Sequence, residues 1–204
     1  MRLHENLTDL HRDCWNLLFR AAVQRRHEMH TPVLATTKYE SLNIATAAAR
    51  TVVLRTTEVE KRQLTFYTDF RSPKVAELQW QPRHIWHFYD NGQKVQMRIT
   101  ADAIIQHQND RTRTIWQNIP PKNRKDYCAT QPPGSPIEDP QAATPDFFID
   151  GEPTTENTDY GYENFVVVDA QVLSIDWLHL HREGHQRAQL VWQGKEWEMN
   201  WLVP

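Results

Sequence analysis

Arg50, Arg55, Arg71 and Lys74 fall close together along the chain, with the hydroxyls of Tyr67, Thr68 and Ser72 among them. Guanidinium forks and ammonium groups make charge-assisted bonds to phosphate oxygens, and short hydroxyl donors complete such a shell. The cluster therefore suits a phosphate seat. It also suits a hairpin with a solvated basic face, the reading that spacing alone favours because charged strand faces are common. The formal charge of the whole chain is -3, so the basic character is local.

These residues sit on two strand-like runs. Thr46–Thr56 contains Arg50-Thr-Val-Val-Leu-Arg55, and Gln63–Asp69 alternates Leu64 and Phe66 with Thr65 and Tyr67. Period-two alternation predicts strands. Ser72-Pro73 then reads as a helix start, serine at the N-cap and proline in the first turn, opening a short helix over Pro73–Trp80. Upstream, Leu10, Cys14, Leu17, Leu18, Ala21 and Ala22 recur at helical spacing over Leu7–Arg26, and Pro32–Thr37 reads as a strand linked onward by a polar connection at Tyr39–Asn43. Downstream, His84–Tyr89 and Gln93–Gln106 flank the hairpin signal Asn91-Gly92. Helices are predicted at Asp110–Ile119 and Lys122–Thr130, and closing strands at Phe165–Leu180, Arg187–Gln193 and Trp197–Leu202. Gln131–Tyr162 is rich in proline, acids and threonine, and reads as a surface excursion with one helical turn near Asp146–Ile149. Strands at hairpin spacing with few helices between them favour a mainly β (α+β) fold, an antiparallel barrel with peripheral helices.

Composition narrows the function classes. A chain of 204 residues can form one domain over 1–204, with no internal repeat. Its slight acidity argues against nucleic acid as a partner. No apolar run of about 18 residues exists to span a membrane, and the charged start Met1–Asp13 lacks an apolar signal core, so a cytoplasmic location is expected. Cys14 and Cys128 stand far apart without a CxxC partner and are expected as free thiols, Cys128 as an unreactive one. His179, His181 and His185 form a His-x-His-x-x-x-His pattern, readable as a polar barrel rim or as imidazole ligands to a metal or haem. His84 and His87, in an aromatic strand, read as half-buried residues without a ligand role. No HExxH, P-loop, GxGxxG or ordered Ser-His-Asp pattern is present.

The ordered set Arg50-Thr-Val-Val-Leu-Arg55, Phe66-Tyr-Thr-Asp69, Ser72-Pro-Lys74, Gln96, Gln131, Trp177 and Arg187 resembles the pyridoxamine 5'-phosphate oxidase-like, FMN-binding split β-barrel family. The resemblance runs from the N-terminal helix to the terminal Trp-Leu-Val-Pro. It implies FMN as cofactor, held at its phosphate by Arg50, Ser72 and Lys74, with Tyr67 and Thr68 adding contacts and the Thr51-Val52-Val53-Leu54 backbone running along the isoalloxazine ring. Gln96, Gln131, Trp177 and Arg187 would reach the cofactor from a second subunit or the far wall, so a homodimer with FMN at the subunit interface is implied. A cation such as Arg187 near the ring would favour the reduced, anionic flavin.

The departures concern the substrate. The family's substrate lysine is replaced by Arg55, and its tyrosine, arginine and serine fall at Thr114, Asn118 and Lys122. Its Arg-Leu-His-Asp-Arg signature reads Glu183-Gly-His-Gln-Arg187, keeping the flavin contact Arg187 but losing two substrate contacts at Glu183 and Gln186, with Arg182 one position away. Arg55 and Arg182 are the implied substrate contacts, and Arg187 and Arg55 stand nearest the chemistry. The resemblance thus implies an FMN-dependent oxidoreductase of a small-molecule substrate. The alternatives are pyridoxamine/pyridoxine 5'-phosphate oxidase itself, or a flavin- or haem-binding protein without turnover on the same barrel.

Overall fold

The computed structural model describes residues 3–41 and 44–204. Helix α1 (Leu7–Val23) opens on Asn6, whose side chain accepts from the Asp9 amide, and its apolar stripe Leu10, Cys14, Leu17, Leu18 and Ala21 is buried. The helix stops short of the expected Arg26 because Gln24 turns extended, and a 3-10 turn at Glu28–His30, capped by the His27 side chain, redirects the chain. That earlier stop carries Arg25 off the helix.

Nine strands follow: β1 (Val33–Ser41), β2 (Ile44–Thr51), β3 (Thr56–Glu58), β4 (Gln63–Asp69), β5 (Arg83–Asp90), β6 (Val95–His107), β7 (Phe165–His179), β8 (Gln186–Trp192) and β9 (Trp197–Leu202). Every pairing is antiparallel, in the order β2-β1-β5-β6-β7-β4-β3, with β8 also on β7 and β9 on β8. The sheet branches at β7. Its first half, Phe165–Gln171, pairs with β4, its second half, Ser174–His179, pairs with β8, and β6 runs along both, with a register shift at Thr100/Ala101. The sheet curls without closing, which is the expected split antiparallel barrel with peripheral helices. Alternation places Trp86, Phe88, Met97, Ile99, Ile175 and Trp177 inside against α1.

A hairpin joining the two basic runs along their length does not form; only Thr56, at the end of the first, pairs with Thr65 of the second. Strand β2 ends at Thr51 and pairs with β1 alone, while β4 pairs with β7 and the short β3. Beside the Thr56/Thr65 pair, the Arg55 amide donates to the Thr65 carbonyl at 2.8 Å. Between them, Val52–Arg55 crosses as extended linker, its Val52 and Leu54 amides taken by Pro32 and His30 carbonyls. The basic residues therefore do not share the solvated face of one hairpin. The predicted connection at Tyr39–Asn43 is shorter than expected, since β1 continues to Ser41, and Leu42 and Asn43 lie outside the described residues.

Helices α2 (Pro73–Trp80) and α3 (Asp110–Gln117) form close to the expected bounds, α3 through a capping box between Asn109 and Thr112. The helix expected over Lys122–Thr130 is replaced by two 3-10 turns, Pro121–Asn123 and Lys125–Tyr127. The excursion carries the expected turn at Asp146–Phe148 and also an unexpected α4 (Thr155–Thr158) with a 3-10 stretch at Asp159–Asn164. Its end is packed: Trp116, Tyr127, Tyr162, Phe165 and Val167 form a second buried cluster. Arg124 closes it, only 2% exposed, stacked over the Trp116 ring and donating to the carbonyls of Trp116 and Ile119 and to the Thr158 hydroxyl. Among the described residues, no helix is long and apolar enough to cross a membrane.

Candidate functional site

The phosphate-seat residues come together where β4 ends and α2 begins. Ser72 occupies the N-cap of α2, but its hydroxyl makes no cap bond and instead accepts from the Lys74 ammonium at 2.5 Å. Thr68, at the end of β4, accepts from the same ammonium at 3.0 Å. Lys74 therefore touches neutral oxygens and no carboxylate among the described residues. Burial lowers its pKa below the ordinary lysine value of 10.5, the nearby Arg50 charge adds to this, and Asp69 and Glu77 oppose it. A partly desolvated ammonium at the positive end of a helix, without a counter-ion, has the electrostatics of an anion seat.

Two carboxylates near this seat are already occupied. Asp69 is 5% exposed and is held by Arg71 through three bonds, the backbone amide to Oδ1 at 2.7 Å, Nε to Oδ1 at 3.1 Å and a terminal nitrogen to Oδ2 at 2.7 Å. Arg71 also donates to the Ala129 carbonyl, tying the segment after α3 to the seat. Glu77 of α2 takes the Arg50 guanidinium at 2.8 Å, while the other terminal nitrogen of Arg50 reaches the Thr36 hydroxyl and the Ala48 carbonyl. Arg50 thus raises the potential around Lys74 with both terminal nitrogens committed elsewhere. Neither pairing was foreseen from sequence, since Asp69 and Glu77 read there as ordinary strand and helix residues.

A cavity of about 270 Å³ lies against this seat, lined by Thr51, Val52, Val53, Tyr67, Thr68 and Lys74 together with the Arg71-paired Asp69, and with Pro133 of the excursion. It continues into a second of about 690 Å³, the two sharing Val53, Arg55, Tyr67, Asp126 and Tyr127. The Leu54 side chain is buried in the core, so this segment offers the groove its backbone and the Val53 side chain. Arg55 stands over the Tyr67 ring at 5.3 Å from its centroid. Burial raises the Tyr67 and Tyr127 pKa values, so both rings meet the groove as neutral phenols. Asn118 and Lys122 line the larger cavity, but Thr114 does not; its hydroxyl donates to the Asp110 carbonyl within α3.

The remaining expected cofactor residues form a separate group. Gln96, Leu178 and Arg187 are direct cross-strand partners on β6, β7 and β8, so they share the outer face of the sheet. Arg187 holds Asp176 there at 2.8 Å, and Arg98 pairs with the same carboxylate. Burial pushes the Asp176 pKa up, and the bonds from Arg187 and Arg98 more than offset this, leaving it below the usual value. Gln96 meets His87 Nε2 at 3.2 Å. Neither Gln96 nor Arg187 lines the groove of its own chain. Trp177 points the opposite way and is 1% exposed within the core. Gln131 is exposed at the start of the excursion, and Arg182 lies exposed in the β7–β8 turn.

The histidine pattern is dispersed. His179 is buried with its ring 5.2 Å from His181, and His185 sits in the exposed turn. His84, 2% exposed, bridges the Pro82 carbonyl and the Trp86 indole. Among the described residues, no three histidine, cysteine or acidic side chains are grouped so as to hold a metal ion. Both cysteines are free and buried, and burial raises the Cys128 pKa.

Comparison with known proteins points the same way. The sequence profile of the family described as "Pyridoxamine 5'-phosphate oxidase, FMN-binding domain" matches residues 12–107. No curated protein matches the sequence. Among solved structures, the fold is similar to a pyridoxamine 5'-phosphate oxidase-related, FMN-binding protein from Nostoc punctiforme (TM-score 0.72, 22% identity, 100% of each chain). It is also similar to PhzG from Burkholderia lata, solved with tetrahydrophenazine-1-carboxylic acid (TM-score 0.69, 17% identity, covering 97% of this chain and 91% of that one).

Proposed function

We propose that the chain is a divergent member of the pyridoxamine 5'-phosphate oxidase-like, FMN-binding family, whose domain profile matches residues 12–107, and that it is an FMN-dependent oxidoreductase of a small-molecule substrate. One observation carries this reading: the Lys74 ammonium, held by Thr68 and Ser72 and without a carboxylate partner among the described residues, faces a groove that runs past the Val53 backbone into a larger chamber. The groove's two parts fit an anionic end and a flat body. When bound there, FMN supplies hydride or electron transfer. The chain's own part is to bind and orient: Lys74, Ser72 and Thr68 at the phosphate, Arg50 through its charge, Tyr67 and the Thr51–Leu54 backbone beside the ring, and Arg55 toward the substrate.

The outer-face group supports a homodimer. Gln96 and Arg187 share their sheet face with Ile85 and Tyr89, which are 42% and 38% exposed. A face that sets exposed Ile85 and Tyr89 beside the amide and cation expected at a flavin, turned away from its own groove, suits burial against a second copy. In that assembly Gln96 and Arg187 of one subunit serve the groove of the other, with Gln131 at its rim; Trp177 acts from inside by holding β7.

Titration with FMN tests the reading directly. Lys74→Ala is expected to weaken FMN binding by about ten- to a hundredfold, the loss of a hydrogen bond to a charged group, with the far-ultraviolet spectrum unchanged. Equal affinity in the variant would remove Lys74 from the seat.

A further inference from the structure

The larger cavity, about 690 Å³, is lined by Arg25, Arg55, Lys122 and Lys125, against the single carboxylate of Asp126. These cations come from three separate stretches: the α1–β1 connection, the linker after β2, and the turns after α3. None has a carboxylate within salt-bridge distance among the described residues, whereas Arg50, Arg71, Arg83, Arg98, Arg111 and Arg187 are each paired. His30 joins them, its Nδ1 fixed on the Ala21 carbonyl at 2.7 Å. Converging like charges repel one another, and a bound anion reverses that repulsion. The same walls carry Val53, Ile115, Ile119 and the rings of Tyr67 and Tyr127, an apolar lining for a flat body.

We propose that this compartment binds a small molecule with an apolar body and at least two anionic groups, and that Arg25 and Lys125, beyond any position matched to the family's substrate contacts, set this preference. Identifying that molecule as the substrate rests on the flavin reading of the adjoining seat; its binding does not. Four cations against one carboxylate exceed what a single monoanion neutralises. Carboxylates and phosphates share the recognising chemistry, since both accept paired bonds from guanidinium forks.

The experiment uses the full chain, with and without saturating FMN, and citrate and pyrophosphate as probes against acetate and chloride at matched ionic strength. Thermal midpoint and, in the FMN-loaded protein, the flavin absorbance are followed. Citrate, pyrophosphate or both are expected to raise the midpoint saturably, and the preferred one identifies carboxylate or phosphate as the better ligand. Arg25→Ala and Lys125→Ala should each weaken the response about tenfold, the loss of one charge-assisted bond. Lys195→Ala, in the β8–β9 turn, should not. Responses matched by acetate, or unaltered in the Arg25→Ala/Lys125→Ala double variant, would overturn the proposal. If FMN fails to bind while the response to polyanions persists, the flavin reading fails and this one stands. If FMN binds and polyanions do nothing, the reverse holds.

Discussion

Lys74 and its neighbours carry the chemistry at the residue scale. The sequence marked Ser72, Thr68 and Lys74 as a donor set, and the structure brings these three side chains together. It did not reveal how nearby acids are silenced, since Arg71 with Asp69 and Arg50 with Glu77 are contacts that only the fold creates. Arg71→Ala should therefore weaken FMN binding although Arg71 does not line the groove, by freeing the Asp69 carboxylate beside the seat; adding Asp69→Asn should restore affinity, as isothermal titration can show. A pH dependence follows from Lys74. Its folded pKa lies below 10.5, so as pH rises through that lowered value the ammonium is lost and FMN affinity should fall before the ordinary lysine range is reached. In Lys74→Arg, which stays charged, that fall should move to higher pH. The FMN-free protein behaves oppositely. Between the lowered value and 10.5 the unfolded chain binds the proton more tightly, so stability contributed by this group rises with pH as the desolvated charge is relieved.

At the scale of elements, strongly patterned segments were legible and weakly patterned ones were not. Strand β4, helix α2 and strand β9 match their expected bounds because alternation, a Ser-Pro start and a glycine turn act locally. The end of α1 was misplaced by three residues beyond Val23 because Gln24, Arg25 and Arg26 carry no stop signal, and with it Arg25 was missed as a groove residue. The turns after α3 were read as helix because their structure is decided by tertiary burial of Arg124 and Tyr127. That burial has measurable weight. Arg124→Ala removes three hydrogen bonds and a stacked cation, and should lower unfolding stability by about 2–4 kcal/mol in urea titrations. Gly161→Ala should act on the same cluster, because a Cβ there would meet Cys128 Sγ at 2.7 Å; overpacking of this kind costs about 1–3 kcal/mol. Both variants should loosen the wall formed by Asn118–Tyr127 as well.

At the scale of the molecule, the seat and the outer-face pair Gln96 and Arg187 are two halves that one chain does not join. Strand register was needed to see that alternation turns Gln96 and Arg187 outward and Trp177 inward; the resemblance left open whether these residues reach the cofactor from a second subunit or from the far wall. The proposed homodimer would reunite them, so Ile85→Asp, placed on the exposed face of β5, should shift the protein toward monomer in light scattering and weaken FMN binding together. A monomeric variant with undiminished FMN affinity would separate the two claims. The most direct measurement of the central claim is the visible absorption of the purified chain titrated with FMN, beside Lys74→Ala. Saturable binding with a perturbed flavin band in the wild type, weakened about ten- to a hundredfold in the variant, is the expected result; a chain that leaves the flavin spectrum unchanged at every concentration would contradict it.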